Sequence, residues 1–227
     1  MLNSPNIKIM RNPKFYTKEI LKIVLPKYCN GRTVDIGSGH AKYKDLIKNY
    51  CKEYIAVDNL SSEYQFKDSN ENYKPDVMSD VLNTPFNIGE FDTAICTEVL
   101  EHVENPFLLF KELSRILKRG GHLILSSGWA TPYHKEPKDY WRFSKDAYDI
   151  LCNENGFKIV EIHKKGGLFS CLFYFIDCNI DLNSKYVKRI KSLLSPLFKI
   201  LEILAEKSDF LIKTEDTIGH LIIAKKI

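Results

Sequence analysis

A short apolar run, Thr33 to Ile36, leads straight into Gly37-Ser38-Gly39. That junction constrains the fold more than any other stretch of the chain. Glycines just after a strand permit a sharp turn and let a ligand approach the backbone closely. Behind the turn, Ala41 to Asn49 has the pattern of a helix. Further strands are predicted at Tyr54 to Val57, Val77-Met78, Phe91 to Cys96, His122 to Leu125, Phe157 to Ile162 and Leu221 to Ala224. Helical patterns surround them. Phe15 to Leu25 is one, stopped by Pro26; Pro106 to Leu117 is another, with Leu108, Leu109, Leu113, Ile116 and Leu117 on its apolar side. Arg119-Gly120-Gly121 reads as the turn that ends the second, and Ser144 as the cap of a third running to about Asn153. Strands alternating with helices imply βαβ units and a parallel sheet. In such sheets ligands sit beyond the carboxyl ends of the strands, near the point where strand order reverses.

The length, 227 residues, suits one domain with an insertion. Hydrophobic residues make up 44% and charged residues 27%, as in ordinary globular proteins. The net charge of +4 is too mild to indicate nucleic acid, and no nucleic-acid partner is expected. Six cysteines include no CxxC pair, and several lie in apolar runs, so free thiols in a reducing compartment are expected. Met1 to Met10 has no apolar core of a signal peptide, and Leu168 to Ile176 is too short to span a bilayer. These features predict a cytoplasmic protein.

Each candidate motif falls at the end of a strand. Asp35 lies two residues before Gly37, where its carboxylate can meet a cationic or donor-rich ligand. The third position of the dinucleotide GxGxxG fingerprint is Lys42, not glycine, which argues against a nicotinamide cofactor. Asp58, with Asn59 beside it, ends the second strand and can accept both hydroxyls of a ribose. Asp80 can accept from an adenine amino group while the Val81 amide faces a ring nitrogen. Then follows Phe91-Asp92-Thr93-Ala94-Ile95-Cys96-Thr97-Glu98-Val99-Leu100-Glu101-His102-Val103.

With this segment, the chain resembles the class I S-adenosylmethionine-dependent methyltransferases, in particular the type 11 group. Their pattern joins an Asp-x-Gly-x-Gly loop, an acidic second strand, an Asp-Ala-like third site, Phe-Asp…Glu-His-Val, and a helix ending in Leu-Lys-x-Gly-Gly. The last is matched by Ile116-Leu117-Lys118-Arg119-Gly120-Gly121. The match runs in order from about Thr33 to Ser127, and Ser38 departs from the cysteine or alanine of many relatives. The resemblance implies an α/β fold: a Rossmann-like, doubly wound, mostly parallel seven-stranded sheet with helices on both faces and the last strand antiparallel. It implies S-adenosylmethionine as cofactor, held by Asp35, Gly37, Ser38, Gly39, Asp58, Asn59, Asp80, Val81, Thr97 and His102. Leu82-Asn83-Thr84-Pro85-Phe86 superficially matches a base-methylation signature, but it follows the third strand and that signature follows the fourth. Glu98, Glu101 and His102 suggest a metal only weakly, since they do not match His-x-x-Glu-His and the sequence offers no third ligand nearby. No metal is expected.

The acceptor side is expected in Pro132 to Phe143, after the fifth strand. It resembles a His…Pro-x-Asp-Tyr-Trp-Arg-Phe segment of one subset of the family. Transfer to oxygen needs a base, and an imidazole can take a hydroxyl proton near neutral pH. His134 is the candidate base and Asp139 the second; Tyr140, Trp141 and Arg142 are the candidate substrate contacts. The bland alternative is a structural loop in which Trp141 packs and Arg142 pairs with a carboxylate. The domain is thus divided into a donor-binding core at 14–127, a substrate loop at 128–143 and a helical insertion at 166–215. Within the insertion, Lys185 to Lys207 carries an apolar stripe of Ile190, Leu193, Leu194, Leu197, Leu201 and Leu204, kinked at Pro196, with Lys185, Lys188, Arg189 and Lys191 at its basic end. The stripe is expected to pack on the domain or on a second subunit, with a membrane surface as the alternative. The expected partner is a small-molecule, glycan or lipid-linked acceptor, and the expected state a monomer or homodimer. The rival reading is a non-catalytic module on the same fold.

Overall fold

The computed structural model describes residues 13–59, 74–134, 138–179, 196–197, 200, 203–204, 208–209 and 214–227. Strands β1 (Arg32–Ile36), β2 (Glu53–Asp58), β3 (Val77–Met78), β4 (Phe91–Thr97), β5 (Leu117–Gly128), β6 (Phe157–Lys164) and β7 (Gly219–Lys226) form one sheet in the order β3-β2-β1-β4-β5-β7-β6. β7 runs antiparallel to both neighbours; the other pairings are parallel. Strand order reverses between β1 and β4, which puts the expected ligand crevice at their carboxyl ends.

The helices include α1 (Pro13–Tyr28), α2 (Lys44–Lys48), α3 (Pro106–Ile116), α4 (Lys145–Glu154) and α5 (Leu168–Asn179), with a 3₁₀ turn at Leu100–His102. Successive strand residues point to opposite faces, and both faces are covered. Ala94 and Cys96 of β4, Leu123 and Leu125 of β5 and Ile222 of β7 pack with Leu109, Phe110 and Leu113 of α3 and Tyr148 and Leu151 of α4. The intervening Ile95, Ile124, Leu221 and Ile223 pack with Leu21, Val24 and Leu25 of α1 and Ile47 of α2. Each of the leucine, isoleucine, valine and phenylalanine side chains among them stabilises the fold by about 1.5–3 kcal/mol on burial.

Local chemistry sets the helix ends. Asn105 caps α3 by accepting the Leu108 amide at 3.2 Å, with Pro106 in the first turn. Ser144 caps α4 through the Ala147 amide, as predicted. Other boundaries differ from expectation. Pro26 lies inside the last turn of α1; the carbonyl it leaves without a donor belongs to exposed Lys22, which water can reach. α2 starts at Lys44 because the glycine turn continues through Ala41, whose φ is +47°. Leu108 is exposed on the outer side of α3. Leu117 already pairs with Phe91, so Arg119-Gly120-Gly121 forms an irregularity within β5. The Leu82–Phe86 segment is structural: Glu112 accepts from Thr84, and Arg115 donates to the carbonyls of Thr84 and Phe86.

In the insertion, α5 is capped across the chain by Asp209, which accepts from the Gly167, Phe169 and Ser170 amides. Lys185, Lys188, Arg189, Ile190, Lys191, Leu193, Leu194 and Leu201 lie outside the described residues. Leu197 and Leu204 are about half exposed. Among the described residues, no helix is long and apolar enough to cross a membrane.

Candidate active site

The turn after β1 is built around two left-handed glycines. Gly37 has φ +68° and Gly39 φ +54°. Val57 of β2 holds the turn, its carbonyl accepting the Gly37 and Ser38 amides. Asp58 accepts the Gly39 amide at 2.6 Å, so the second acidic position also fixes the first motif. Burial raises the Asp58 carboxyl above its ordinary range, opposed by the Gly39 and Asn59 amides. Asp35 is buried at the end of β1 and accepts the Tyr54 hydroxyl at 2.7 Å. Burial pushes it up to about 7; Tyr54 pulls it down and the Asp58 charge adds to the rise.

Two observations fit this crevice to a ligand. Among the described residues, a Cβ on Gly39 would meet nothing within 4 Å, so they leave space facing the turn there. The Ser38 hydroxyl is buried with no hydrogen-bond partner. Asp80 is exposed after β3 and accepts the Leu82 amide at 2.9 Å, which leaves Val81 partly covered on the same turn. Thr97 ends β4 opposite Ser126 of β5. All these positions lie along the carboxyl edge. A surface hollow of about 610 Å³ at the opposite edge, lined by Arg32, Lys52 and Lys118 among others, shares no residue with them.

The loop after β5 folds back onto the 3₁₀ turn after β4. The Tyr140 amide donates to the Glu101 carbonyl at 2.9 Å, and the Trp141 indole donates to the Val103 carbonyl at 3.0 Å. His102 bonds through Nδ1 to the Lys138 carbonyl at 2.6 Å. His102, expected on the donor side, therefore stands against the acceptor loop, edge-to-face with His134 at 5.1 Å between ring centres. Within the loop, the Asp139 side chain is wholly covered and accepts the His134 amide and both terminal nitrogens of Arg142. Despite burial, those partners hold its carboxyl at about 2, so it stays ionised. Arg142 also donates to the Thr131, Pro132 and Trp141 carbonyls. Its five donors are thereby engaged within the loop. Asp139 and Arg142 brace the loop, while Tyr140 and Trp141 are about 40% exposed and His134 is partly exposed.

Sequence reasoning missed a buried network under this edge. Glu98, with φ +56°, accepts both bonds of the fully buried Lys165 ammonium at 2.6 and 2.8 Å, and also the Ser126 hydroxyl. Although burial opposes ionisation, Lys165 and Ser126 hold the Glu98 carboxyl low. Beside it, Glu101 is buried and its Oε2 has no hydrogen-bond partner. Burial and the Glu98 charge raise its pKa. The expectation that no third ligand lies near Glu101 and His102 is corrected: the loop brings His134 in, and ligand atoms of the three lie within 4.8 Å of one another.

Known proteins agree with this architecture. The model of a family described as "Methyltransferase domain" matches residues 34–125. Over that stretch, about two fifths of the chain, the protein has the class I S-adenosylmethionine-dependent methyltransferase domain. The matched stretch contains the glycine turn, Asp58 and Asp80, the positions expected to take S-adenosylmethionine. The methyltransferase is 28% identical over 189 residues to an uncharacterized protein of Methanocaldococcus jannaschii, covering 80% of each chain. It is 27% identical over 150 residues to a tRNA U34 carboxymethyltransferase of Campylobacter curvus, covering 59% of this chain and 50% of that one. A crystal structure of an S-adenosylmethionine-dependent methyltransferase from Archaeoglobus fulgidus superposes with a TM-score of 0.59 at 16% identity, covering 95% of each chain. At that identity the likeness concerns the fold.

Proposed function

We propose that this methyltransferase moves the sulfonium methyl of S-adenosylmethionine to an oxygen of a small-molecule, glycan or lipid-linked acceptor. In this reading residues 14–127 hold the donor: Asp58 and Asn59 take the ribose, Asp80 and Val81 the adenine, and Gly37-Ser38-Gly39 with Asp35 and Thr97 the amino-acid end. Residues 128–143 hold the acceptor between His134, Tyr140 and Trp141.

The observation that carries the oxygen acceptor is the tautomer of His134. Its Nδ1 lies 3.1 Å from the Pro132 carbonyl, which can only accept. In the neutral imidazole the proton therefore sits on Nδ1 and the lone pair on Nε2. In the transfer, the acceptor hydroxyl gives its proton to Nε2 as its oxygen attacks the methyl carbon. The carbon–sulfur bond breaks with its electron pair on sulfur, and S-adenosylhomocysteine leaves. Positioning two reactants in a dry pocket supplies most of the rate in such a displacement.

Methyl-labelled donor offered with hydroxylated small molecules, glycans, lipid extract and tRNA tests the reading. Label in the first three supports it. Label confined to tRNA, the acceptor named for the Campylobacter curvus relative, would replace it. His134→Ala should lower turnover by about a hundred- to ten-thousandfold and leave donor affinity unchanged, because a base acts on the acceptor. A wild-type protein that binds the donor but labels nothing would favour the non-catalytic module. Calorimetry showing no donor binding would sink both.

A further inference from the structure

We propose that Glu101, His102 and His134 form a binding site for a divalent first-row transition-metal ion at the mouth of the acceptor pocket. The role given to the ion rests on the transfer reaction proposed above; the binding itself does not.

Three features point to an ion. The first is the arrangement of the donors. Glu101 and His102 come from the 3₁₀ turn after β4, and His134 from the loop after β5. The two segments are tied together by the Tyr140 amide on the Glu101 carbonyl and the Trp141 indole on the Val103 carbonyl. The three ligand atoms consequently lie within 4.8 Å of one another, and a small closing movement of the partly exposed rings brings them to the roughly 2.0–2.2 Å of a bound ion.

The second is the state of the imidazoles. His102 and His134 each place Nδ1 on a backbone carbonyl, that of Lys138 at 2.6 Å and that of Pro132 at 3.1 Å. Both rings are held in the tautomer that leaves Nε2 without a proton. This second bond is the one metal-bound histidines use to fix orientation and raise basicity. Asp139 lies 3.4 Å from His134 Nδ1 and reinforces it.

The third is Glu101 Oε2, buried and without a hydrogen-bond partner. An unsatisfied buried carboxylate oxygen is unfavourable, and a cation relieves it. Two histidine rings stacked edge-to-face would account for the ring contact but not for this oxygen.

Two imidazole nitrogens and one carboxylate suit zinc, cobalt, manganese or ferrous ions and disfavour calcium and magnesium, which take oxygen ligands. Three protein ligands leave open positions. An acceptor hydroxyl entering one is polarised and gives its proton to water; the resulting alkoxide attacks the methyl, and the carbon–sulfur pair departs on sulfur. In the loaded form the ion takes over the work of the His134 base.

The test uses the full chain, stripped with chelator and dialysed. Titration with Co²⁺ should give visible ligand-field bands that saturate at one ion per chain and disappear when Zn²⁺ is added. His102→Ala and His134→Ala should each weaken Co²⁺ binding by at least about tenfold to a hundredfold. Glu101→Gln should do the same; because Glu101 is buried and this variant could fail to fold, the two histidine variants carry the test, with S-adenosylmethionine calorimetry as the check on folding. Absence of saturable Co²⁺ binding, or binding undiminished in the double His102→Ala/His134→Ala variant, overturns the site. A wild-type protein silent toward S-adenosylmethionine would instead sink the transfer reading while leaving the Co²⁺ result readable.

Discussion

Gly37 and Gly39 share a turn and a left-handed backbone, but they are required for different reasons. A Cβ on Gly37 would come within 2.4 Å of Val99 Cγ2, and its φ is +68°. Gly37→Ala should therefore destabilise the fold by about 1–3 kcal/mol, from strain plus the displaced valine. Among the described residues, a Cβ on Gly39 meets no atom beyond its chain neighbours within 4 Å. Gly39→Ala should lose only about 1 kcal/mol of stability, from its positive φ, yet weaken S-adenosylmethionine binding by tenfold or more as the methyl enters the donor's space. Urea unfolding and calorimetry on both variants separate the two effects. Equal affinity losses at equal stability would refute the assignment of the open side to the ligand. The glycine turn, Asp35 and Asp58 were legible in the sequence because each sits at the end of its own strand. The brace of Asp139 and Arg142 was legible only as an alternative, since a carboxylate beside an arginine in sequence does not reveal where either points.

At the scale of elements, the parallel sheet could be read because strands buried on both faces are continuous apolar runs. What could not be read were contacts between the loops that follow different strands. Glu98 and Lys165 are 67 residues apart, and nothing local marks either as the other's partner. The pair joins the end of β4 to the residue after β6, and the Lys165 backbone exchanges hydrogen bonds with Ile218 and Gly219 at the start of β7. It thus fastens the carboxyl edge across β5 and β7. Lys165→Met should destabilise the protein by up to about 3–5 kcal/mol, because the mostly covered Glu98 carboxylate loses its counter-charge. Adding Glu98→Gln should recover part of that loss. Urea unfolding of the two single variants and the double variant gives the coupling. Additive losses would mean that the pair does not act as a unit. Likewise, the Glu101–His102–His134 cluster was invisible in the sequence because His134 arrives on another loop.

At the scale of the whole molecule, two buried groups make opposite contributions to stability against pH. Asp35 has its carboxyl raised from 3.8 to about 7, chiefly by burial. Between those values the folded state holds a proton that the unfolded state has lost, so this group's contribution falls as pH rises. His220, buried in β7, is lowered from 6.5 to about 4, chiefly by burial and then by the Lys165 charge. Between those values the unfolded state holds the extra proton, so its contribution rises with pH. Each shift corresponds to roughly 3–4 kcal/mol at 1.36 kcal/mol per pH unit. The two oppose each other over about pH 4.5 to 6.5, a window that lies above the titration of Asp139 at about 2. Wild-type stability should therefore vary weakly there. Asp35→Asn should leave stability rising with pH through the window, and His220→Gln should leave it falling. The comparison is by urea unfolding at pH 4.5, 5.5 and 6.5 for all three proteins, without donor, since a cationic ligand would draw the proton off Asp35. If both variants kept the wild-type slope, neither group would be titrating as its burial requires. If only His220→Gln kept it, Asp35 alone would account for the pH dependence, and it would still be the group that the positive charge of the proposed donor has to ionise.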